Sequence, residues 1–439
     1  VRDANKTIVL FLFGGNGGGG NALPNWVTNI LGDGGTIENQ AYQIAEVNKV
    51  PNASFVMVAG SSKTGVLYAQ VPDDFSGNFM VARSSTATTY DTSLLVKGIL
   101  ANQVQIDNLD RDDSLVVGNP KVLIEPTVVN LAKENTTLAS PWIYARVALY
   151  SDSTLSPDGT ANCFELRNLP TGDFCNVIQQ VATGAGTFTF YFYAKQKAGG
   201  LDRVSIGATG TGLGTETTGT ACFFNYTFAT DSFVASTFNN STPDKITSLK
   251  LPGGWVQLCL QIQATTTINR AEIYTNLQLQ GSANSQGVYV WRPQFTETDY
   301  IVSSIPTGST TVTQATTVVN SGASNALINS QEGAWVVKAK ATYDSTDVRT
   351  ASIKGVTVAD GVELTFGNTL NTVRASIVTG NGSSINLDYT LATGSVLDLN
   401  TYIIVWKVSR FQLYVNGAAV GLNTGLVVSD ANQLDSVSI

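Results

Sequence analysis

Three features of the sequence predict an all-β fold: two tandem antiparallel β-sandwiches behind a small mixed N-terminal docking region. Only 13% of residues are charged while 43% are apolar, and Thr, Ser, Asn, Gln and Gly fill the difference, as on neutral, strand-rich surfaces. From Phe75 onward, short runs of Val, Ile, Thr, Tyr and Phe are broken by Gly, Asn, Asp and Pro. No period of about 20 to 50 residues recurs, which argues against a solenoid or propeller. A chain of 439 residues has room for more than one core.

Residues 1–72 differ from the rest and are read as the docking region. An apolar, strand-like run from Ile8 to Phe13 leads into a tract with six glycines in seven positions, 14 to 20. Gly15 to Gly20 satisfies GxGxxG, and Glu38 lies near the spacing of a ribose-binding acid. A tract this rich in glycine matches most glycine motifs by chance, and no βαβ pattern follows, so the tract reads as a permissive joint. Pro24 opens one short helix pattern with Trp26, Val27, Ile30 and Leu31 on one face, closed by Gly32. Thr36 is the expected N-cap of a second, through Ile37, Ala41 and Ile44. Such short helices need a larger surface to pack on. Phe11, Phe13, Trp26, Val27 and Ile30 are the residues expected to dock it.

Residues 73–129 form an extended β connector. Residues 130–302 are assigned to the first sandwich on the runs FTFYFYAKQ (188–196), RVSIGATG (203–210), ACFFNYTF (221–228), GGWVQLCLQIQ (253–263) and GVYVWRPQF (287–295). Residues 303–316 have the Pro, Gly, Ser and Thr content of a linker. The second sandwich, 317–439, carries GAWVVKAKATY, GVELTFGN, RASIVTG, YIIVWKVSR and FQLYVNGAAVG; Asn416-Gly417 between alternating apolar residues marks a two-residue hairpin. The chain opens at Val1 and stops at Ile439 inside an apparent strand, so a trimmed or truncated product is expected.

Composition narrows the chemistry. Histidine is absent, which removes the commonest general base and metal ligand and every Ser-His or Cys-His nucleophile. A net charge of -8 and a pI near 4.7 disfavour nucleic acid, and no run approaches the ~20 apolar residues of a membrane span. Cys163, Cys175, Cys222 and Cys259 show no CxxC spacing and read as reduced core residues. Asp107, Asp110, Asp112 and Asp113 have oxygen-ligand character but lack the glycine and distal Glu of an EF-hand, so a solvated acidic turn is expected. A glycosidase without histidine needs two acids held ~5 to 9.5 Å apart; Glu125, Glu165, Glu297 and Glu363 are the candidates, and sequence pairs none of them. Trp291, Trp335, Trp406 and Tyr414 fall inside strands, where core packing is the default. Asn381, Ser383 and Asn423 are loop residues able to face a glycan.

Three stretches carry a resemblance. ARSSTATTYDTSLLVKG, ANQVQIDN and KVLIEPTVVNLAKEN are similar to a phrase of bacteriophage tail-fibre and other virion-appendage proteins. SPDGTANCFELRN, TFTFYFYAKQ, LPGGWVQL and GVYVWRPQFTETDYIVSSIPTGSTTVT resemble, in order and spacing, the β-sandwich that succeeds it there. The tract from Ala334 to Gly421 looks like a concanavalin-like (LamG-type) sandwich. Together they cover roughly residues 79 to 439. Two departures stand out: TVVN replaces the usual run ending in Thr-Asn, and WRPQF a commoner glycine-containing version, so binding properties do not carry over.

The resemblance implies jelly-roll or concanavalin-like sandwiches in a non-enzymatic structural virion protein, a fibre component. Its N-terminus would attach to capsid, neck or tail; the expected assembly is a homotrimer, and its outer sandwich would contact host surface polysaccharide. No cofactor is expected, with calcium at a sheet rim the one ion the resemblance leaves open. The alternative readings are a secreted carbohydrate-binding module and, behind it, a capsule depolymerase.

Overall fold

The computed structural model describes residues 11–14, 36–37, 43, 45, 47, 53–72, 74–110, 116–169, 174–214, 219–237, 239–276, 286–341, 348–355, 361–367, 369–378, 384–392, 394–425 and 434–439. Near the N-terminus, the strand Phe11–Gly14 pairs antiparallel with Ala53–Met57 of the same chain. The second predicted helix is corrected at its start: Thr36 and Ile37 are a two-residue strand paired with Ser61 and Ser62, as suits two β-branched residues with a strand edge beside them. Helical geometry among the described residues there is confined to Gln43, Ala45 and Val47. The buried Gln43 accepts from Ser61 Oγ (2.8 Å) and donates to the Val58 carbonyl, which ties this turn to the strands below. The first predicted helix, with Trp26, Val27 and Ile30, lies outside the described residues.

A five-stranded sheet runs in the order Thr36–Ile37, Ser61–Lys63, Val66–Leu67, Phe79–Ala82 and Val318–Asn320. Its last strand comes from beyond residue 316, so chain segments far apart in sequence close one sheet. Phe79 and Val81 point inward while Met80 is 63% exposed, the alternation of a half-buried strand. Phe55, Leu67, Phe79 and Val81 share one continuous core with Ile106 and Val122 of the connector and with Trp335, Tyr402 and Trp406 of the C-terminal sandwich.

The central sandwich is built around one 22-residue strand, Trp255–Asn276. Residues 255–264 pair with Gly186–Gln196 on one side, and Trp255 to Gln261 with Lys245–Leu251 on the other. Beyond Ala264 the partners change to Arg203–Leu213 and Cys175–Gln180. This strand therefore passes from one layer to the next. The first layer adds Gly287–Thr296, Cys163–Asn168 and Val147–Asp152; the second adds Ala221–Thr227, Ser232–Ala235 and Ile143–Ala145. Phe188, Phe190, Phe192, Leu258, Leu260 and Ile262 fill the interior with Val204, Ile206, Ile268 and Ile273, each such side chain contributing about 1.5 to 3 kcal/mol on burial.

FTFYFYA lacks an apolar/polar alternation because both faces of its strand are covered. Tyr191, Tyr193, Trp255 and Trp291 form a second buried layer under Tyr90, Leu94, Val96 and Leu109 of the connector, and the hydroxyls of Tyr90 and Tyr193 meet at 2.8 Å. The cysteines are buried thiols within this core and the sandwich interior. Asp107 corrects the expectation of a solvated acidic turn: it is buried in the strand Gln105–Asp110, where it accepts from Tyr90 N (2.8 Å) and Thr89 Oγ1 (3.2 Å) to join two connector strands. The backbone of Asp110 ends that strand, and Asp112 and Asp113 lie outside the described residues.

The C-terminal sandwich sets Gly333–Ala339, Asn400–Lys407, Arg410–Val415 and Ala418–Asn423 against Ser384–Thr390, Thr372–Val378, Gly361–Phe366, Arg349–Gly355 and Leu434–Ser438. Asn416 and Gly417 turn the hairpin with φ of 51° and 84°, as a two-residue turn between twisted strands requires. The 303–316 stretch is held at both ends of its path. Val312–Gln314 pairs with Val128–Asn130, and Ser303 and Gln314 donate to the buried Glu125, which Gln105 of the connector also reaches.

Candidate functional site

Where the N-terminal strands meet the C-terminal sandwich, the surface sinks into a cleft of ≈ 410 Å³. Two neighbouring strands make its floor, with Gly333 opposite Trp406 and Ala334 opposite Val405. A Cβ on Gly333 would lie 2.3 Å from Trp406 Cζ2, so glycine lets the indole edge come up beneath the floor. Trp406 donates its Nε1–H to the Asn329 carbonyl (3.2 Å) and so fixes the loop that forms one wall. The far wall is Ser54, whose hydroxyl donates to the Leu327 carbonyl (3.1 Å).

Three exposed polar side chains, Asn329, Glu332 and Lys407, stand on the rim. The Asn329 side-chain oxygen accepts from Gln331 N (2.9 Å), which leaves its amide N–H₂ turned to other use. Among the described residues neither Glu332 nor Lys407 enters an ion pair. An apolar floor with one carboxylate, one ammonium and one amide at its edge suits a polyhydroxylated ring: the carboxylate accepts from hydroxyls, while the ammonium and amide donate to them. Among the described residues the lining holds a single carboxylate, whereas glycoside hydrolysis uses a pair.

The four sequence candidates for catalysis are scattered. Glu125 is buried in the junction described above. Burial pushes Glu165 up, but hydrogen bonds and charge from Arg167 and Lys197, at 2.7 and 2.8 Å, outweigh it and hold the carboxyl below its ordinary range. Glu297 is exposed just past the strand Gly287–Thr296, at the end opposite Glu165's neighbour Tyr289. Glu363 is half-buried in the C-terminal sandwich. Among the described residues, no group of three or more His, Cys, Asp or Glu side chains is placed to hold a metal ion.

Trp291, Trp335 and Trp406 are core residues, as strand interiors imply. Tyr414 is half-buried and bonded to Gln412 and Arg410. Asn423 accepts from Gly425 N within its own turn (2.8 Å). Asn381 and Ser383 lie outside the described residues, as do the side chains of Phe11 and Phe13. The cleft residues Ser54, Asn329, Glu332 and Lys407 escaped sequence reasoning because they converge from three distant segments; the local trace was Gly333 ahead of the AWVV run.

No family model matches the sequence, and no curated protein matches it. Among solved structures, mouse laminin alpha1 chain, domains LG4-5, is similar over 63% of this chain and 82% of that one, with 11% identity and a TM-score of 0.20. A superposition this loose transfers no residue or property. The all-β, multi-sheet architecture stands on the strand pairings themselves.

Proposed function

We propose that the chain is a non-enzymatic structural protein of a bacteriophage virion, a fibre or appendage component whose outer sandwich contacts host surface glycan through the Asn329–Glu332–Lys407 cleft. The observation that carries the glycan contact is this cleft, an apolar floor with hydroxyl-matching groups on its rim and, among the described residues, no second carboxylate beside the first. The virion assignment rests on the sequence resemblance over residues 79 to 439. In this reading the N-terminal region buries against capsid, neck or tail through faces other than the Ser54 wall of the cleft, and the chain acts as a homotrimer without a cofactor; calcium is retained only as a rim ion to be tested by chelation.

Binding of the full chain to immobilised host polysaccharides tests the contact. The double substitution E332A/K407A is expected to abolish retention while leaving the melting temperature unchanged, and equal retention by both proteins would refute the cleft. Peptide mass spectrometry of purified particles tests the location. A secreted carbohydrate-binding module is the second reading favoured by the same cleft, and absence of the chain from particles would select it. Release of reducing ends from capsule by the wild-type chain would replace both with the depolymerase.

A further inference from the structure

Arg292 lies inside the strand Gly287–Thr296 with φ of +42°, a left-handed conformation that glycine adopts freely and arginine does not. The strand bulges there. Its register moves from Trp291 opposite Tyr193 to Gln294 opposite Tyr191, so Arg292 and Pro293 together face Phe192. Bulges of this kind re-aim a side chain. The guanidinium is laid over the buried Trp291 ring, 4.2 Å from its centroid, and the indole is fixed at its edge by its Nε1–H donating to Asn162 Oδ1 (2.8 Å).

Among the described residues, the one polar partner of this guanidinium is Asp158, a single contact at 3.4 Å. Strong arginine–carboxylate pairs are shorter and use two bonds. Asp158 does not depend on Arg292, because it already accepts from Ser156 Oγ (2.7 Å), Thr160 Oγ1 (2.7 Å), Thr160 N (3.0 Å) and Asn162 Nδ2 (3.1 Å). Arg292 is thus a largely buried cation, its side chain 15% exposed, with five N–H donors of which, among the described residues, one is engaged at long range. Burial works against its charge, and Asp158 only partly offsets that. The guanidinium nitrogens without a partner among the described residues are not sealed from solvent, so a strained backbone presents a stacked cation with donors that an acceptor from outside the chain can meet.

We propose that Arg292, stacked on Trp291, is a binding site for the carboxylate of an acidic saccharide. The carboxylate meets the guanidinium edge away from Asp158, and the turn beside it is sugar-like in its demands: exposed Thr160 keeps its hydroxyl oxygen as an acceptor, and exposed Asn162 its second amide N–H as a donor. This site is on the central sandwich and is independent of the cleft.

Glycine fits the backbone here, so R292G separates the side chain's task from the fold. Titration calorimetry of the full chain with glucuronate is expected to show saturable binding, about tenfold or more tighter than with glucose or acetate. R292G is expected to lose it with an equal or higher melting temperature, and E332A/K407A to keep it. The proposal is overturned if the wild-type chain shows no saturable response to glucuronate or if R292G retains it. Acetate binding as tightly as glucuronate would overturn the sugar assignment, and loss in E332A/K407A would move the site to the cleft. A fall in melting temperature for R292G would show that Arg292 serves the Asp158 turn instead.

Discussion

Replacing Glu125 by Ala should destabilise the junction between connector, central sandwich and C-terminal strands more than any surface change. Its carboxylate, 2% exposed, accepts from Ser303 N (2.6 Å), Ser303 Oγ (2.5 Å), Gln314 Nε2 (2.7 Å) and Gln105 Nε2 (3.1 Å). Arg83, equally buried, binds the other end of Gln105 (3.2 Å), Thr317 Oγ1 (3.1 Å) and the carbonyls of Ser85 and Leu100. Alanine would take the acceptor from Ser303 N and Gln314 Nε2, leave Ser303 Oγ and Gln105 Nε2 to their remaining bonds to Gln314 Oε1 and the Thr88 carbonyl, and leave Arg83 without its nearby countercharge. Removing one member of such a buried charged set costs ~3 to 5 kcal/mol. Because the chain has several packed sheets, one global unfolding free energy is not defined, and the melting temperature of the affected transition is the proper readout. At ~2 to 4 °C per kcal/mol for a unit of this size, the transition should fall by about 6 to 20 °C. E125Q, which keeps the volume and one acceptor oxygen, should fall less. Q314A and E125A should be less than additive, since they share one bond. The reasoning fails if E125A melts within about 2 °C of wild type, the range expected of E297A at an exposed position.

Three other outcomes follow from the packing and the charges. Burial brings Lys340 down to about 7, with Asp398 opposing, so between about pH 7 and the ordinary lysine value near 10.4 the unfolded chain binds more protons than the folded one. Stability should therefore rise with pH across that window by at most roughly 1.4 kcal/mol per unit, and K340M should remove the slope in denaturant titrations at stepped pH. The depressed Glu165 carboxyl gives stability that is present above its unfolded value near 4.3 and lost as pH falls through its lower folded value; E165Q should flatten the acid limb of the melting profile, and an unchanged limb would refute the Arg167–Lys197 contribution. G207A would place a Cβ 1.8 Å from Phe223 Cδ1 on the neighbouring strand and should cost ~1 to 3 kcal/mol, read as a lower melting temperature, whereas no change would mean that the ring turns aside freely.

Much of the architecture was legible because strand signals are local. The Asn416-Gly417 hairpin follows from two residues that accept positive φ between alternating apolar neighbours. The burial of Trp291, Trp335 and Trp406 follows from their place inside β-rich runs. Thr36 misled because an N-cap and the first residue of a short strand draw on the same residue type, and the edge at Ser61 and Ser62, which decides between them, lies 25 residues on. Asp107 misled for a related reason: a cluster of acids looks solvated until Tyr90 N and Thr89 Oγ1 arrive from another strand to bond one of them.

By itself, then, the sequence determined the class: few charges, β-branched and aromatic runs, and turn residues at short intervals leave strands as the one economical use of this backbone. Tertiary structure alone decided which faces are covered, since FTFYFYA is apolar on both sides and only the docked connector shows what lies over the tyrosines. It also decided the sites. The cleft joins Ser54 to Lys407, and the strained Arg292 meets Asp158 across a bulge, because pairing and layer packing bring together groups whose separation along the chain carries no local signal.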